Sequence, residues 1–380
     1  MRNSSRSNVD PFIVMDVMEA ARRAEAAGRH IIHMEVGQPG SPAPQGAREA
    51  VRRAMQQDAL GYTVALGLPA LRARIAQLYM QWYGVDLDPA RVVVTSGSSA
   101  AFLLAFTALF DAGDTVAIGA PGYPSYQQIL RALSLKPLMI ETSQSARLQL
   151  TPEDLAPHEF AGLMVASPAN PTGTMLGKPE LTNLIETAQA KQASFISDEI
   201  YHGIEYEAEA VSALQITDEA YVINSFSKYF SMTGWRVGWM VVPQAHVRTI
   251  ERLAQNMFIC PPHVSQIAAL AALECTDELQ SNLSVYAANR DLMLNELPAT
   301  GLGPFAPPDG AFYIYVDVSQ HTRDSRAFAA EILEQAGVAV TPGLDFDAAR
   351  GSQTLRLSYA RSTQDIREGL ERLKTFMARR

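Results

Sequence analysis

The sequence predicts an α/β protein: a large domain (46–285) with a mostly parallel seven-stranded sheet between helices, and a smaller α+β domain from 1–45 and 286–380. Three observations predict it. From residue 90 onward, short β-branched or apolar runs alternate with helical stretches of roughly 10–15 residues. The runs are continuously apolar rather than alternating, as in strands covered on both faces. After residue 275 the character shifts to a long helical stretch, three prolines (Pro304, Pro307 and Pro308) and a few well-separated strands.

The elements follow in order. Asp10 suits an N-cap and Pro11 a first helical position, and Val14, Val17, Met18 and Ala21 recur at helical spacing, with Gly28 marking the end. Ile31 to Val36 reads as extended and closes in the loop Gly37-Gln38-Pro39-Gly40. The large sheet takes Val92–Thr95, Val116–Gly119, Pro137–Ile140, Leu163–Ala166, Phe195–Ser197, Tyr221–Asn224 and Val237–Val242, with helices such as Ser99–Phe110, Ser125–Leu133 and Pro179–Gln192 between them. A helix over Asp277–Leu297 leads into strands Ala311–Val316, Val338–Thr341 and Leu355–Tyr359, each joined by a helix, and the N-terminal segment is expected to pack with this part.

Composition excludes several functions. With 31 basic against 40 acidic residues the net charge is −9, which argues against a nucleic-acid binder but not against a local basic pocket. The polar start leads into no apolar stretch, so no secretory signal is expected, and no run is long enough to span a membrane. Cys260 and Cys275 have no CxxC partner and the seven histidines show no HExxH-like spacing, so neither a disulfide scaffold nor a metal site is expected. Two ordinary thiols fit a reducing cytoplasm.

The chemistry lies in loops that follow predicted strands, where open α/β sheets place functional groups. Thr95-Ser96-Gly97-Ser98-Ser99 feeds a helix N-terminus, whose N–H groups and serine hydroxyls can hold a phosphate, although many such turns are Ser/Gly-rich for geometry alone. Tyr123, between Gly122 and Pro124, is either a ring-stacking platform or a half-buried turn residue. Ser167-Pro168-Ala169-Asn170-Pro171-Thr172-Gly173 holds Asn170 at the sheet edge, by default as a turn former. Asp198-Glu199-Ile200-Tyr201 reads as a metal site, a surface cluster or a counter-ion for a buried cation. In Ser225-Phe226-Ser227-Lys228-Tyr229-Phe230 one lysine stands among aromatics, with Arg236 eight residues on. An apolar pocket lowers the pKa of such a lysine and makes it a nucleophile for a carbonyl.

Taken together and in this order, Pro121-Gly122-Tyr123, Asn170-Pro171-Thr172-Gly173, Asp198-Glu199-Ile200-Tyr201 and Ser225-Phe226-Ser227-Lys228 through Gly234-Trp235-Arg236-Val237-Gly238 resemble the class I/II (aspartate aminotransferase-like, fold type I) pyridoxal 5'-phosphate (PLP) enzymes over nearly the whole chain. The resemblance implies a ping-pong transfer of the amino group of an L-amino acid to a 2-oxo acid. In it Lys228 forms a Schiff base with PLP and shuttles the Cα proton, and Asp198 pairs with the pyridine nitrogen. Asn170 and Tyr201 then bind the ring oxygen, Tyr123 stacks on the ring, and Ser98, Ser99, Ser225 and Arg236 form the phosphate cup. Arg356, in Leu355-Arg356-Leu357-Ser358-Tyr359, matches the arginine that clamps the substrate carboxylate, with Gly37 closing over it and Asn170 beside it. Tyr62, in Gly61-Tyr62-Thr63, matches a tyrosine that reaches the phosphate of a neighbouring subunit, which implies a homodimer with shared sites.

The pattern departs from the family in two places. Ser99 stands where one bacterial branch carries a lysine that reads an acidic side chain, and Gln38-Pro39-Gly40-Ser41-Pro42 lacks an Asp common there. Both leave neutral, aromatic or branched substrates open. The same constellation also supports C–S β-elimination, because fold does not fix reaction. A non-catalytic regulator built on this fold needs a DNA-binding extension, for which the segment before Gly37 has no room. A nicotinamide-dependent dehydrogenase needs a GxGxxG turn, and none follows a predicted strand.

Overall fold

The computed structural model describes residues 1–380. The chain opens with α1 (Ile13–Ala26), β1 (Ile32–His33), α2 (Gln45–Gln57) and α3 (Pro69–Tyr83). The alternating region follows as β2 (Val92–Thr95), α4 (Ser98–Leu109), β3 (Thr115–Ala120), α5 (Pro124–Ala132), β4 (Lys136–Glu141), α6 (Pro152–Leu155), β5 (Gly162–Ala166), α7 (Lys178–Ala190), β6 (Ser194–Asp198), β7 (Tyr221–Ser225) and β8 (Gly238–Val241). Three helices come next, α8 (Val247–Met257), α9 (His263–Ala272) and α10 (Thr276–Glu296). The chain ends with β9 (Tyr313–Asp317), α11 (Ser325–Ala336), β10 (Val338–Ala339), β11 (Thr341–Pro342), β12 (Thr354–Ser358) and α12 (Thr363–Met377). No helix is long and apolar enough to cross a membrane.

The seven-stranded sheet has the order β2-β8-β7-β6-β5-β3-β4, with β8 alone reversed against its neighbours. Its continuous apolar runs have a direct cause. Val93, Ile118, Met164, Ile196, Ile223 and Met240 enter the core on one face, while Val92, Val94, Ala117, Leu163, Val165, Phe195, Val222 and Trp239 enter the other. Successive side chains point to opposite faces, so a strand with helices on both sides has no solvent-facing position. The C-terminal ends of β2, β3, β5, β6 and β7 therefore share one edge, and all the chemically loaded loops leave from it.

The seven predicted strands lie where expected to within a residue or two, but the outer segments differ. Helix α1 starts at Ile13, not at Asp10-Pro11. The Asp10 carboxylate is occupied by Arg131 and Gln128 of α5, and the helix takes its cap from a residue far along the chain. The extended reading of 31–36 shrinks to a two-residue strand, because only Ile32 and His33 find ladder partners, in β10. The single strand over 338–341 divides: Val338 and Ala339 pair with β1, then Thr341 and Pro342 turn to pair antiparallel with β12. No helix joins β11 to β12. Gly343 and Gly351 pack backbone on backbone there, and the connection folds into short 3-10 turns at Gly343–Asp345 and Gly351–Gln353. The three-stranded sheet β11-β12-β9 places Arg356 opposite Thr341 and Tyr315.

Candidate active site

A cavity of about 290 Å³ opens at the C-terminal edge of the large sheet. Gly37, Ser98, Ser99, Tyr123, Asn170, Asp198, Tyr201, Lys228, Arg236 and Arg356 all line it, though they span more than 300 positions of sequence. Two expected residues do not line it. The Ser225 hydroxyl is buried and donates to Ser227 Oγ over 2.8 Å, so Ser227 stands at the wall instead. Tyr62 is 83% exposed and lies outside.

Lys228 follows β7 in a tight turn, and its Nζ donates to the Gly37 carbonyl over 2.7 Å. Burial lowers its pKa from 10.5 to about 8, helped by the positive charges of Arg356 and Arg236 and opposed by Asp198. The amine is thereby closer to its free-base, nucleophilic form than an exposed lysine would be.

Asp198 and Glu199, adjacent in sequence, face opposite ways. The Asp198 carboxylate accepts from the Tyr126 hydroxyl and, over 3.1 Å, from the Ile200 N–H. Burial raises its pKa to about 7 against the pull of Tyr126, Ile200 and Lys228. Glu199 turns into the interior, where it accepts from the Ala213 N–H and the Ser197 hydroxyl. It is therefore no part of the cavity. His202 bridges two of the site loops: its Nε2 donates to the Ser167 carbonyl over 2.9 Å, and the Tyr83 hydroxyl donates to Nδ1 over 2.6 Å. Burial depresses its pKa to about 4, which keeps the ring neutral.

Arg356 is 2% exposed, so it is no outward-facing strand cation. Its guanidinium lies between the rings of Tyr313 and Phe346, 4.5 and 4.7 Å from their centroids. It donates to Asn170 Oδ1 over 2.9 Å and to the Glu35 carbonyl, while Nε has no partner. A buried, oriented fork with a spare donor suits a carboxylate. The Tyr313 hydroxyl also bonds that of Tyr201 over 2.8 Å and fills the space above Gly37, where an added Cβ would lie 1.7 Å from it.

Sequence reasoning missed several of these groups. Tyr126 stands one helical turn after Tyr123 on α5, a spacing that shares a face and was a usable signal. Tyr313 and Thr341 carried no local signal, because register alone brings their strands beside β12. Phe12, Val14, Met15 and Met18 of the α1 region form an apolar wall with Val36. In the sequence only Val14 and Met18 stood out, as members of a helix face.

The donor set fits PLP. A buried carboxylate and a low-pKa amine share one cavity with a cationic cradle at the start of α4. Gly97 has φ +77°, and a Cβ there would sit 2.4 Å from Arg236 Nη2, so only glycine lets the guanidinium close on the helix N-terminus. Free N–H groups of a helix N-terminus beside an arginine make an anion site of phosphate size.

Comparison with known proteins agrees with this geometry. Residues 29–373 match the family model described as aminotransferase class I and II. The chain is 45% identical to valine–pyruvate aminotransferase of Mycobacterium tuberculosis, over 99% of this chain and 98% of that protein. It is 33% identical to aspartate/prephenate aminotransferase of Thermus thermophilus over the full length of both. A solved structure from Silicibacter pomeroyi is 70% identical and superposes with a TM-score of 0.96, each chain covered in full.

Proposed function

The chain belongs to the aminotransferase class I and II family and is a transaminase, and from that premise we propose that it uses PLP on Lys228 to move the amino group of a neutral, apolar L-amino acid to a 2-oxo acid. The observation that carries the reading is the convergence of Lys228, Asp198 and Arg356 on one cavity that has an apolar wall of Phe12, Met15, Met18 and Val36. When bound, the cofactor supplies an aldehyde carbon for an amine and a ring that withdraws electrons.

The chain's own groups divide the work. Lys228 tethers the cofactor and, once released, takes the substrate Cα proton at Nζ and passes it on. Asp198, steadied by Tyr126, faces the ring nitrogen as a carboxylate. Ser98, Ser99, Ser227 and Arg236 hold the phosphate from the start of α4, with Ser225 orienting Ser227. Tyr123 covers the ring, and Asn170 and Tyr201 take its oxygen. Arg356, with Asn170 and the Gly37 segment, orients the substrate carboxylate and so aims the side chain at the apolar wall.

The three cations of the cavity are thereby committed, and Ser99 supplies none to read an acidic side chain. The 45% identical relative, a valine–pyruvate aminotransferase, supports the same substrate class. We also propose the division into domains 46–285 and 1–45 plus 286–380, a cytoplasmic location, and a homodimer. Exposed Tyr62, Val64, Met257 and Ile259 support the dimer as a surface that brings Tyr62 to the partner's phosphate site.

A half-reaction screen tests the proposal. The PLP-loaded protein is mixed with single amino acids, and loss of its visible absorbance and formation of 2-oxo acid are followed. Valine and other aliphatic amino acids should convert faster than aspartate. Release of pyruvate and ammonia without an acceptor would show a lyase instead, and aspartate as the fastest donor would overturn the substrate class.

A further inference from the structure

We propose that Asp345 is a positioning residue for substrate selection: it holds the first turn of α1 and thereby sets the apolar wall against which the substrate side chain rests. The inference depends on the reading of the cavity under Proposed function.

Helix α1 begins without a cap of its own. Phe12 occupies the N-cap position and its side chain has no acceptor, so the N–H groups of Ile13 and Val14 need partners from elsewhere. Both oxygens of Asp345 supply them: Ile13 N–H donates to Oδ1 over 3.0 Å and Val14 N–H to Oδ2 over 3.1 Å. Asp345 is buried, and a carboxylate at the positive end of the helix dipole also holds the helix electrostatically. Burial raises its pKa, while the two N–H groups and Arg356 favour the ionised form that caps.

The location of Asp345 gives this cap its consequence. It ends the 3-10 turn Gly343–Asp345 between β11 and β12. Strand β12 carries Arg356, and Thr341 of β11 lies opposite it. One short stretch of chain thus holds both the carboxylate anchor and the start of α1. On the far side Asp10 is tied to Gln128 and Arg131 of α5, and the Phe12 ring meets Tyr123 edge-on at 5.8 Å. Residues 10–14 form a strap pinned at both ends, and Phe12, Met15 and Met18 reach the cavity from it and from the helix it starts. Asp345 therefore fixes the separation between the carboxylate anchor and the apolar wall. An apolar side chain of three or more carbons gains most from a wall so placed, and a methyl group least.

The test compares PLP-loaded wild type, Asp345→Ala and Asp345→Asn with valine and with alanine as donors, measuring kcat and KM separately. Asp345→Ala should raise KM for valine about tenfold, a loss of ~1.4 kcal/mol, while KM for alanine and both kcat values change by less than about threefold. Asp345→Asn keeps one acceptor oxygen and should fall between. Amide hydrogen exchange at Ile13 and Val14 should quicken in the same order. KM does not depend on the fraction of enzyme that folds, so partial misfolding cannot produce the pattern. Equal losses for valine and alanine, or unchanged exchange at the two amides, would overturn the proposal. A wild type that converts both donors, with an unaltered valine-to-alanine ratio in Asp345→Ala, overturns this inference alone. A wild type that converts neither overturns the functional reading and this inference with it.

Discussion

Arg356 Nη1 donates to Asn170 Oδ1 over 2.9 Å, so a buried cation on β12 is held by the loop that leaves β5. The Glu35 carbonyl, the Thr341 hydroxyl and the Tyr313 and Phe346 rings also surround it. Asn170→Ala removes an acceptor but leaves the charge buried, at a stability cost of about 1–3 kcal/mol. The expected kinetic signature is a higher KM for every amino acid, apolar or not. Arg356→Lys loses the planar fork and should lower kcat/KM by about a hundredfold or more. Thermal melts and steady-state kinetics read both effects, and a KM confined to one substrate class would contradict the shared carboxylate role.

Tyr126 sets how readily Asp198 ionises. Its hydroxyl bond works against the burial that raises the carboxyl to about 7. In Tyr126→Phe the pKa rises further, and less carboxylate faces the ring nitrogen at neutral pH. PLP affinity of the apo protein should weaken by about tenfold at pH 7, the value of one hydrogen bond to a charged group, and recover as pH rises. Spectroscopic titration at several pH values measures it, and equal affinity throughout would remove Tyr126 from the site.

Lys228, lowered from 10.5 to about 8, makes a prediction whose sign can be worked out. Between these values the unfolded chain keeps the proton that the folded apo protein has released. The unfolded state then binds more protons, so stability rises with pH across that window. Apo wild type should gain stability from pH 8 to 10.5 relative to Lys228→Met, and the rate of PLP uptake should rise through pH 8 and level off. Parallel stability curves for the two proteins would place the lysine in an ordinary solvated setting. Lys228→Met should also show no transamination.

Gly37→Ala tests the packing of the closing loop. The new Cβ would lie 1.7 Å from the Tyr313 hydroxyl, which must move away. That motion breaks the Tyr201–Tyr313 bond and shifts a ring that flanks Arg356. Small displacements at a reacting centre are costly, and kcat/KM should fall about a hundredfold. Wild-type activity in Gly37→Ala would mean that the loop stands further from the site.

The large sheet was legible because its strands announce themselves locally. Both faces of β5, for example, carry apolar residues, Met164 on one side and Leu163 and Val165 on the other. The candidate residues were legible for a related reason: Asp198 ends such a strand and Asn170 and Lys228 stand in the loops that leave one, so one edge had to collect them. Tyr313, Thr341 and the α1 wall were not, since strand register sets Tyr313 and Thr341 beside β12 and the α1 wall comes to the cavity from the far end of the chain.

The start of α1 marks the boundary between the two kinds of information. By itself the sequence determined an α/β sheet of seven strands, the order of its loaded loops and a lysine among aromatics, because periodicity and residue chemistry act over a few positions. The tertiary structure alone decided that Asp10 serves α5 rather than its own helix, that Asp345 caps α1 instead, and that Ser227 rather than Ser225 faces the cavity. A donor or acceptor takes whichever partner the folded chain brings within reach, and residues hundreds of positions away compete on equal terms with neighbours.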